Sequence, residues 1–297
     1  MHAPYLRKSP GSRIFDLCNV ALMLLFAFLV VYPFYNQLVI SFNQGIDAQR
    51  GGVYFFPRKF TLDSYAWLFK NSKLLTGAAI SIMRVAVGTA TCLFASALLG
   101  YITAIRYFSG RRFMRILFVI TMYFGGGMIP VYLVILKLGL LNTFHVYWLP
   151  YLISPYYMLL FSSYLNQLPD SLFEAARVDG ASELRIFFQI VMPVSVPVLA
   201  AVSIYLVVGQ WNSWFDNMLY NTKGNWDTLQ MYLRRMLLQS EIALKMQAEA
   251  VAYHKFMSLT PQTIKAATTM IVTIPILVTY PFFQRYFIGG ITLGSVK

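Results

Sequence analysis

Apolar positions in this chain do not alternate with polar ones. They fill long runs at residues 15–40, 80–105, 116–137, 147–166, 194–213 and 264–284, separated by more polar stretches of very different length. Each run is about 18 residues or longer, enough for a helix to cross the roughly 30 Å hydrocarbon core of a bilayer. The pattern predicts an all-α polytopic membrane protein with six transmembrane helices. A transmembrane barrel would instead show short alternating strands. Pro33, Pro130, Pro155, Pro197, Pro275 and Pro281 fall in or beside these runs and should kink or break them. Neighbouring helices in a bundle can re-satisfy the freed backbone groups. Gly125, Gly126 and Gly127 mark a point of close helix approach or unwinding, or equally an inert flexible patch.

Composition agrees with the pattern. Of the 297 residues 58% are hydrophobic and only 12% charged, about half the charged fraction of soluble domains. The net charge of +13 would suggest nucleic acid in a soluble protein. Here Lys and Arg flank apolar runs, which is how membrane proteins set their orientation, so no nucleic acid is expected. Attraction for an acidic solute is the minority reading. The basic segment Arg106–Arg115 (RYFSGRRFMR) should face the cytoplasm, which puts both termini inside with Arg7, Lys8 and Arg13. Segments 43–75 and 214–262 then lie outside despite Arg50, Arg58, Lys59, Arg234 and Arg235, because long loops obey the charge bias weakly. The basic N-terminus resembles a signal peptide, but no small-x-small cleavage site follows, so the first run reads as an uncleaved span. Cys18 and Cys92 lie in apolar segments and read as buried small hydrophobes.

One charged stretch interrupts the apolar design. Glu174–Pro193 reads EAARVDGASELRIFFQIVMP, between the fourth and fifth runs. Asp170 or Ser171 is placed to cap a short helix, with Glu174 a turn later as in a capping box. Asp179-Gly180 should break that helix, since glycine takes positive φ without strain. Ser182 can cap a second helix, in which Leu184, Phe187, Phe188 and Val191 recur at helical spacing until Pro193 ends it and opens the next span. The product is a rigid elbow at residues 170–193. Physical chemistry alone leaves it equally an amphipathic loop lying on the membrane surface.

The stretch resembles the EAA loop of permeases of ATP-binding cassette (ABC) importers. Glu174-Ala175-Ala176, Asp179-Gly180-Ala181, Ile190 and Pro193 stand at that family's spacing. The six-span plan, Trp211-Asn212 after span five and the tail YPFFQRYFIGGITLGSVK are similar to carbohydrate importers of the maltose type, in particular their smaller permease subunit. The similar subgroup imports oligosaccharides, including acidic ones such as alginate fragments. The resemblance implies one transmembrane permease domain over 1–297, with the ABC type I importer fold, in the bacterial inner membrane and surrounded by lipid. It implies that Glu174, Ala175, Ala176, Asp179, Gly180 and Ala181 seat in a cleft of an ATP-binding subunit, with the tail Phe287–Lys297 beside the ATPase pair. It also implies a second homologous permease, two ATP-binding subunits and an external solute-binding protein. Within the periplasmic loop 214–262, residues 216–262 would be the docking face for the last of these.

Other chemistry is absent from the sequence. There is no GxxxxGK[ST] phosphate loop, so the chain itself is expected to bind no cofactor, with ATP and Mg on its partners. His2, His145 and His254 are scattered, and no metal-ligand spacing occurs. The spans hold almost no acidic residues, which argues against ion-coupled transport; Asp16 sits near the cytoplasmic edge, and Arg84 is expected to snorkel from the outer end of span two. Sugar sites combine aromatic faces with hydrogen-bonding groups. Tyr156, Tyr157, Gln210, Trp211 and Asn212 are the expected pathway wall, or else interfacial belt and packing residues. The alternative function is a membrane-embedded enzyme acting on glycolipid or polysaccharide, for which Asp216 and Asp227 are the only nearby outer carboxylates.

Overall fold

A computed structural model describes residues 10–247 and 259–293. Among them the chain is helical, with no strand beyond an isolated bridge between Asn43 and Phe60. His2, Arg7, Lys8, His254 and the last residues of the tail lie outside the described residues. The chain forms two compact units, one from residues 1–70 and 237–271, the other from 71–236 and 272–297.

In the first unit, α1 (Pro10–Ser41) is apolar around its whole circumference. Consecutive side chains from Leu22 to Phe26 are all exposed, so water cannot be its solvent and lipid is. Cys18 is exposed on this helix, not buried as its apolar setting suggests; Cys92 is buried. Past α1 come α2 (Gly45–Gln49) and α3 (Asp63–Lys70). Asp47 ties the segment between them, accepting from Asn43 Nδ2 and Arg58 Nε, both at 2.9 Å. Val39, Ile40, Ala48, Val53 and Ala266 form its small core.

The second unit is built on α4 (Ser72–Ala104), an unbroken helix of 33 residues. It packs mainly against α7 (Pro155–Leu165) and α11 (Val196–Asn212). Gly100 permits the closest approach: a Cβ there would stand 2.5 Å from Phe161 Cβ and 3.0 Å from the Met158 carbonyl oxygen. Tyr101, Phe161, Ile186, Phe187, Val191 and Val202 fill the core at this end.

Three predicted elements differ from expectation. The third run is two helices, α5 (Arg111–Tyr123) and α6 (Met128–Lys137), bent by 114° at the glycine triplet. The fourth run is not one continuous helix. Its helix α7 has 11 residues, about 17 Å at 1.5 Å per residue, and two 3-10 turns, Phe144–Tyr147 and Leu149–Tyr151, take the remainder. Pro150 and Pro155 explain the break, since proline ends the helix before it and suits the first turn of the next. The fifth run is bent by 78° near Ser195 rather than started by Pro193, because helix continues through Pro193 to Val194. A π turn over Phe187–Val191 precedes that proline, with Met192 N–H bonded to the Phe187 carbonyl. Among the described residues three helices are long and apolar enough to span alone, or five if each bent pair is one span. α12 (Phe215–Tyr220), α13 (Leu229–Gln247) and α14 (Pro261–Leu293, continuous through Pro275 and Pro281) complete the described residues.

Candidate functional site

The elbow is two short helices, α8 (Asp170–Val178) and α9 (Glu183–Ile186), the latter running on through the π turn into α10 (Met192–Val194). Neither Asp170 nor Ser171 caps α8. Pro169 holds the N-cap position with no side-chain bond, so the expected capping box is not formed. Asp170 is the first helical residue instead, and pairs with Arg106 at 2.7 Å. The turn is as expected: Gly180 has φ +78°. Ala181 N–H reaches the Ala176 carbonyl at 3.0 Å and Gly180 N–H the Arg177 carbonyl at 2.9 Å. That pair of bonds is a Schellman cap, which closes a helix end around a left-handed glycine. Ala176 and Ala181 are its hydrophobic contact and pack on the core. Ala176 is therefore buried and does not face outward. Ser182 caps α9, its Oγ accepting from Arg185 N at 3.4 Å.

Around its turn the elbow exposes Glu174, Ala175, Asp179 and Gly180 together with two apolar side chains. Val178 is 87% exposed and Leu184 66%. Sequence reasoning passed over Val178, although it lies one helical turn beyond Glu174 and Ala175 and so shares their face. Behind this surface, Glu183 gathers three donors. Tyr101 Oη donates to Oε2 at 2.5 Å, while Tyr107 Oη at 2.5 Å and Arg177 Nε at 3.0 Å donate to Oε1. The Arg177 guanidinium lies 4.7 Å over the Tyr107 ring.

A second feature lies elsewhere in the same unit. A cavity of about 360 Å³ is lined by Arg84, Tyr151, Tyr157, Tyr205, Gln210 and Ser154, among others. Arg84 does not snorkel. It is 2% exposed, pairs through both terminal nitrogens with Asp216, and donates from Nε to Gln210 Oε1 at 2.9 Å. Its guanidinium stands 4.8 Å over the Tyr147 ring. Asp216 also accepts from Ser213 Oγ and Asn217 N, each at 2.9 Å. A buried charge needs such a complete set of partners.

Of the five expected wall residues, Tyr157 and Gln210 line this cavity. Tyr156 is exposed, its ring T-shaped against that of Tyr157 with centroids 5.5 Å apart. Trp211 turns away, donating from Nε1 to the Val272 carbonyl at 3.1 Å beside an apolar groove lined by Ile82, Val85, Val208 and Pro275. Asn212 is exposed and bonded to Gln230. Helical geometry separates them: consecutive residues on α11 point about 100° apart, so three neighbours cannot share one wall. Tyr151 and Tyr205 also line the cavity, and nothing local in the sequence distinguishes them from belt residues; Arg84, weighed from the sequence for snorkelling or solute attraction, lines it as well.

Asp216 and Asp227 do not make a catalytic pair. Asp216 is committed to Arg84, and Asp227 to Arg235 at 2.7 Å. Burial pushes the Asp227 carboxyl up, with Arg235 pulling it back. No group of three His, Cys, Asp or Glu side chains suited to a metal occurs among the described residues.

Residues 96–293 match the family model described as binding-protein-dependent transport system inner membrane component. Protein LplC of Bacillus subtilis is 35% identical over 98% of both chains. The polygalacturonan/rhamnogalacturonan transport system permease protein YtcP of the same organism is 34% identical over 96% of this chain and 99% of its own. A chain in the crystal structure of a bacterial ABC transporter involved in the import of the acidic polysaccharide alginate superposes with a TM-score of 0.86 at 26% identity. That superposition covers 95% of this chain and 99% of the other.

Proposed function

The chain belongs to the family of binding-protein-dependent transport system inner membrane components, and from that premise we propose a division of labour between its elbow and its cavity. It is a membrane permease subunit of an ABC importer for saccharides, with the type I permease fold, and a transport component, not an enzyme. Its system includes a binding protein and an ATPase that uses ATP.

The elbow over 170–193 is the point at which an ATP-binding subunit seats. The observation that carries this is the outward surface Glu174, Ala175, Val178, Asp179, Gly180 and Leu184: two carboxylates and bare backbone beside the exposed apolar side chains of Val178 and Leu184, fixed by a Schellman cap. Ala176 and Ala181 hold that surface from behind. Two ATP-binding subunits carrying Mg and ATP close on this chain and a second, homologous permease. Both termini are cytoplasmic, and segment 214–262 faces a periplasmic or extracellular binding protein, although residues 248–258 of it lie outside the described residues.

The cavity forms part of the solute route. Tyr151, Tyr157 and Tyr205 offer ring faces, and Gln210 a hydrogen-bonding amide, the mix that saccharides require. Uronate oligosaccharides are the favoured cargo, by analogy with the polygalacturonan/rhamnogalacturonan and alginate systems among the relatives.

Replacing Gly180 with Val tests the elbow. A β-branched residue at positive φ costs roughly 1–2 kcal/mol, enough to distort the cap while leaving the spans inserted. The ATP-binding subunit should then co-purify poorly with a chain that still reaches the membrane. Undiminished co-purification would refute the seating role. Reconstituted complex offered neutral or uronate oligosaccharides, read by stimulated ATP hydrolysis, tests the cargo.

A further inference from the structure

We propose that the carboxylate of Glu183 is a latch that joins the elbow to α4, so that movement of the ATPase is delivered to the cavity along two helices at once. This rests on the seating role of the elbow. The covalent route from elbow to cavity runs through α9, the π turn, α10 and the 78° bend near Ser195 before α11 carries it to Gln210. π turns and sharp bends are compliant points in a helix. The second route has no such joint. α4 is continuous from Ser72 to Ala104. The distance from Tyr101 to Arg84, 17 residues, is about 26 Å of unbroken helix.

Side chains connect the elbow to that stiff rod: Phe173 and Phe187 pack on the Tyr101 ring, Phe187 and Phe188 pack on Phe94, and Glu183 gathers the polar ties. Tyr101 donates from the last turns of α4, Tyr107 from the loop that follows, and Arg177 from the other arm of the elbow. The carboxylate therefore closes the elbow on itself, across Gly180, and fastens it to α4. Arg106 and Asp170 make a second tie on the same seam. Both rods end on the same pair: Arg84 on α4 donates to Gln210 on α11 at 2.9 Å. If the elbow drives α4 and α11 together, the Arg84–Gln210 contact moves as a unit. If it drives α11 alone, that contact must shear. Chains of packed side chains and hydrogen bonds of this kind carry energetic coupling over such a distance.

The test uses the full importer, with its partner permease, ATP-binding subunits and binding protein, in lipid nanodiscs. Tyr101→Phe/Tyr107→Phe removes two donors without opening a cavity. Co-purification of the ATP-binding subunit and hydrolysis without solute should stay within about twofold of wild type, while hydrolysis stimulated by loaded binding protein should fall about tenfold. Glu183→Gln should behave alike, and Glu183→Asp should recover part of the loss. Stimulation within twofold of wild type in the double Phe variant would overturn the latch.

If that variant does not assemble, a cross-link decides. Arg106→Cys/Asp170→Cys, with Cys18 and Cys92 replaced by Ser, is joined across the same seam by a bifunctional methanethiosulfonate long enough to replace the ion pair. Cross-linking should leave stimulated hydrolysis intact if elbow and loop travel together, and its abolition, reversed by reductant, would overturn the proposal. Failure of the seating role is separately visible as wild-type chain with no bound ATP-binding subunit.

Discussion

In the cavity wall, the side chains of Arg84 and Asp216 are 2% and 4% exposed; in the elbow, those of Arg177 and Glu183 are 31% and 42% exposed. Both are arginine–carboxylate pairs backed by tyrosine, Tyr147 in one and Tyr101 and Tyr107 in the other. Burial makes them different devices. The cavity pair is out of water, so each partner depends on the other being present. The elbow pair remains partly hydrated and can loosen cheaply. A part that must keep a cavity's shape through a transport cycle suits the first arrangement, and a part that meets a moving partner suits the second.

The sharpest way to break the comparison is to unpair the buried charge. Asp216→Ala leaves Arg84 without a carboxylate and should destabilise the protein by about 3–5 kcal/mol, read as a large fall in the thermal midpoint of the assembled complex. Arg84→Met/Asp216→Leu, which removes both charges, should recover most of that loss. If the single and double variants melt together, the pair is not a unit and the cavity wall rests on something else.

A middle effect is expected where the stiff rod meets α7. Gly100→Val puts side-chain atoms where Phe161 Cβ and the Met158 carbonyl already stand. Overpacking of this kind costs roughly 1–3 kcal/mol. Melting should show it with no change in elbow chemistry, because Gly100 touches neither Glu183 nor Asp170. A loss of coupling out of proportion to the loss of stability would show that α4 position matters to the cycle in its own right.

The two regions also differ in how far the sequence discloses them. The elbow is local: its cap bonds span at most five residues, from Ala181 back to Ala176, and Gly180 and Ser182 announce the turn and the next helix. Its capping error is local as well, since Pro169 takes the N-cap site and pushes Asp170 one place into the helix. The helical runs are legible because apolar length is their signal, but the bends are only half so. The glycine triplet marks where the third run breaks without giving an angle, and Pro193 marks the wrong residue because the π turn absorbs its missing donor. The cavity network is not legible. Arg84 and Asp216 are 132 residues apart, and an arginine in an apolar run gives no sign of whether it snorkels or finds a partner. The latch fails for the same reason, with 82 and 76 residues separating Glu183 from Tyr101 and Tyr107.

The smallest expected effect sharpens the contrast most cleanly. Arg106 and Asp170 form an ion pair at 2.7 Å with side chains 68% and 43% exposed. Removing it with Arg106→Ala should cost under about 1 kcal/mol, the range of surface pairs. That cost should also depend on salt, since the Debye length falls from about 10 Å at 0.1 M to about 3 Å at 1 M. The Asp216→Ala deficit should not, because mobile ions do not reach a dry pair. Melting both variants against wild type at low and high ionic strength separates the classes without reference to their size. The Arg106 difference should shrink towards zero while the Asp216 difference persists. Equal salt sensitivity would mean that water reaches Arg84, and the cavity would then be an open vestibule whose charges are free to meet solute.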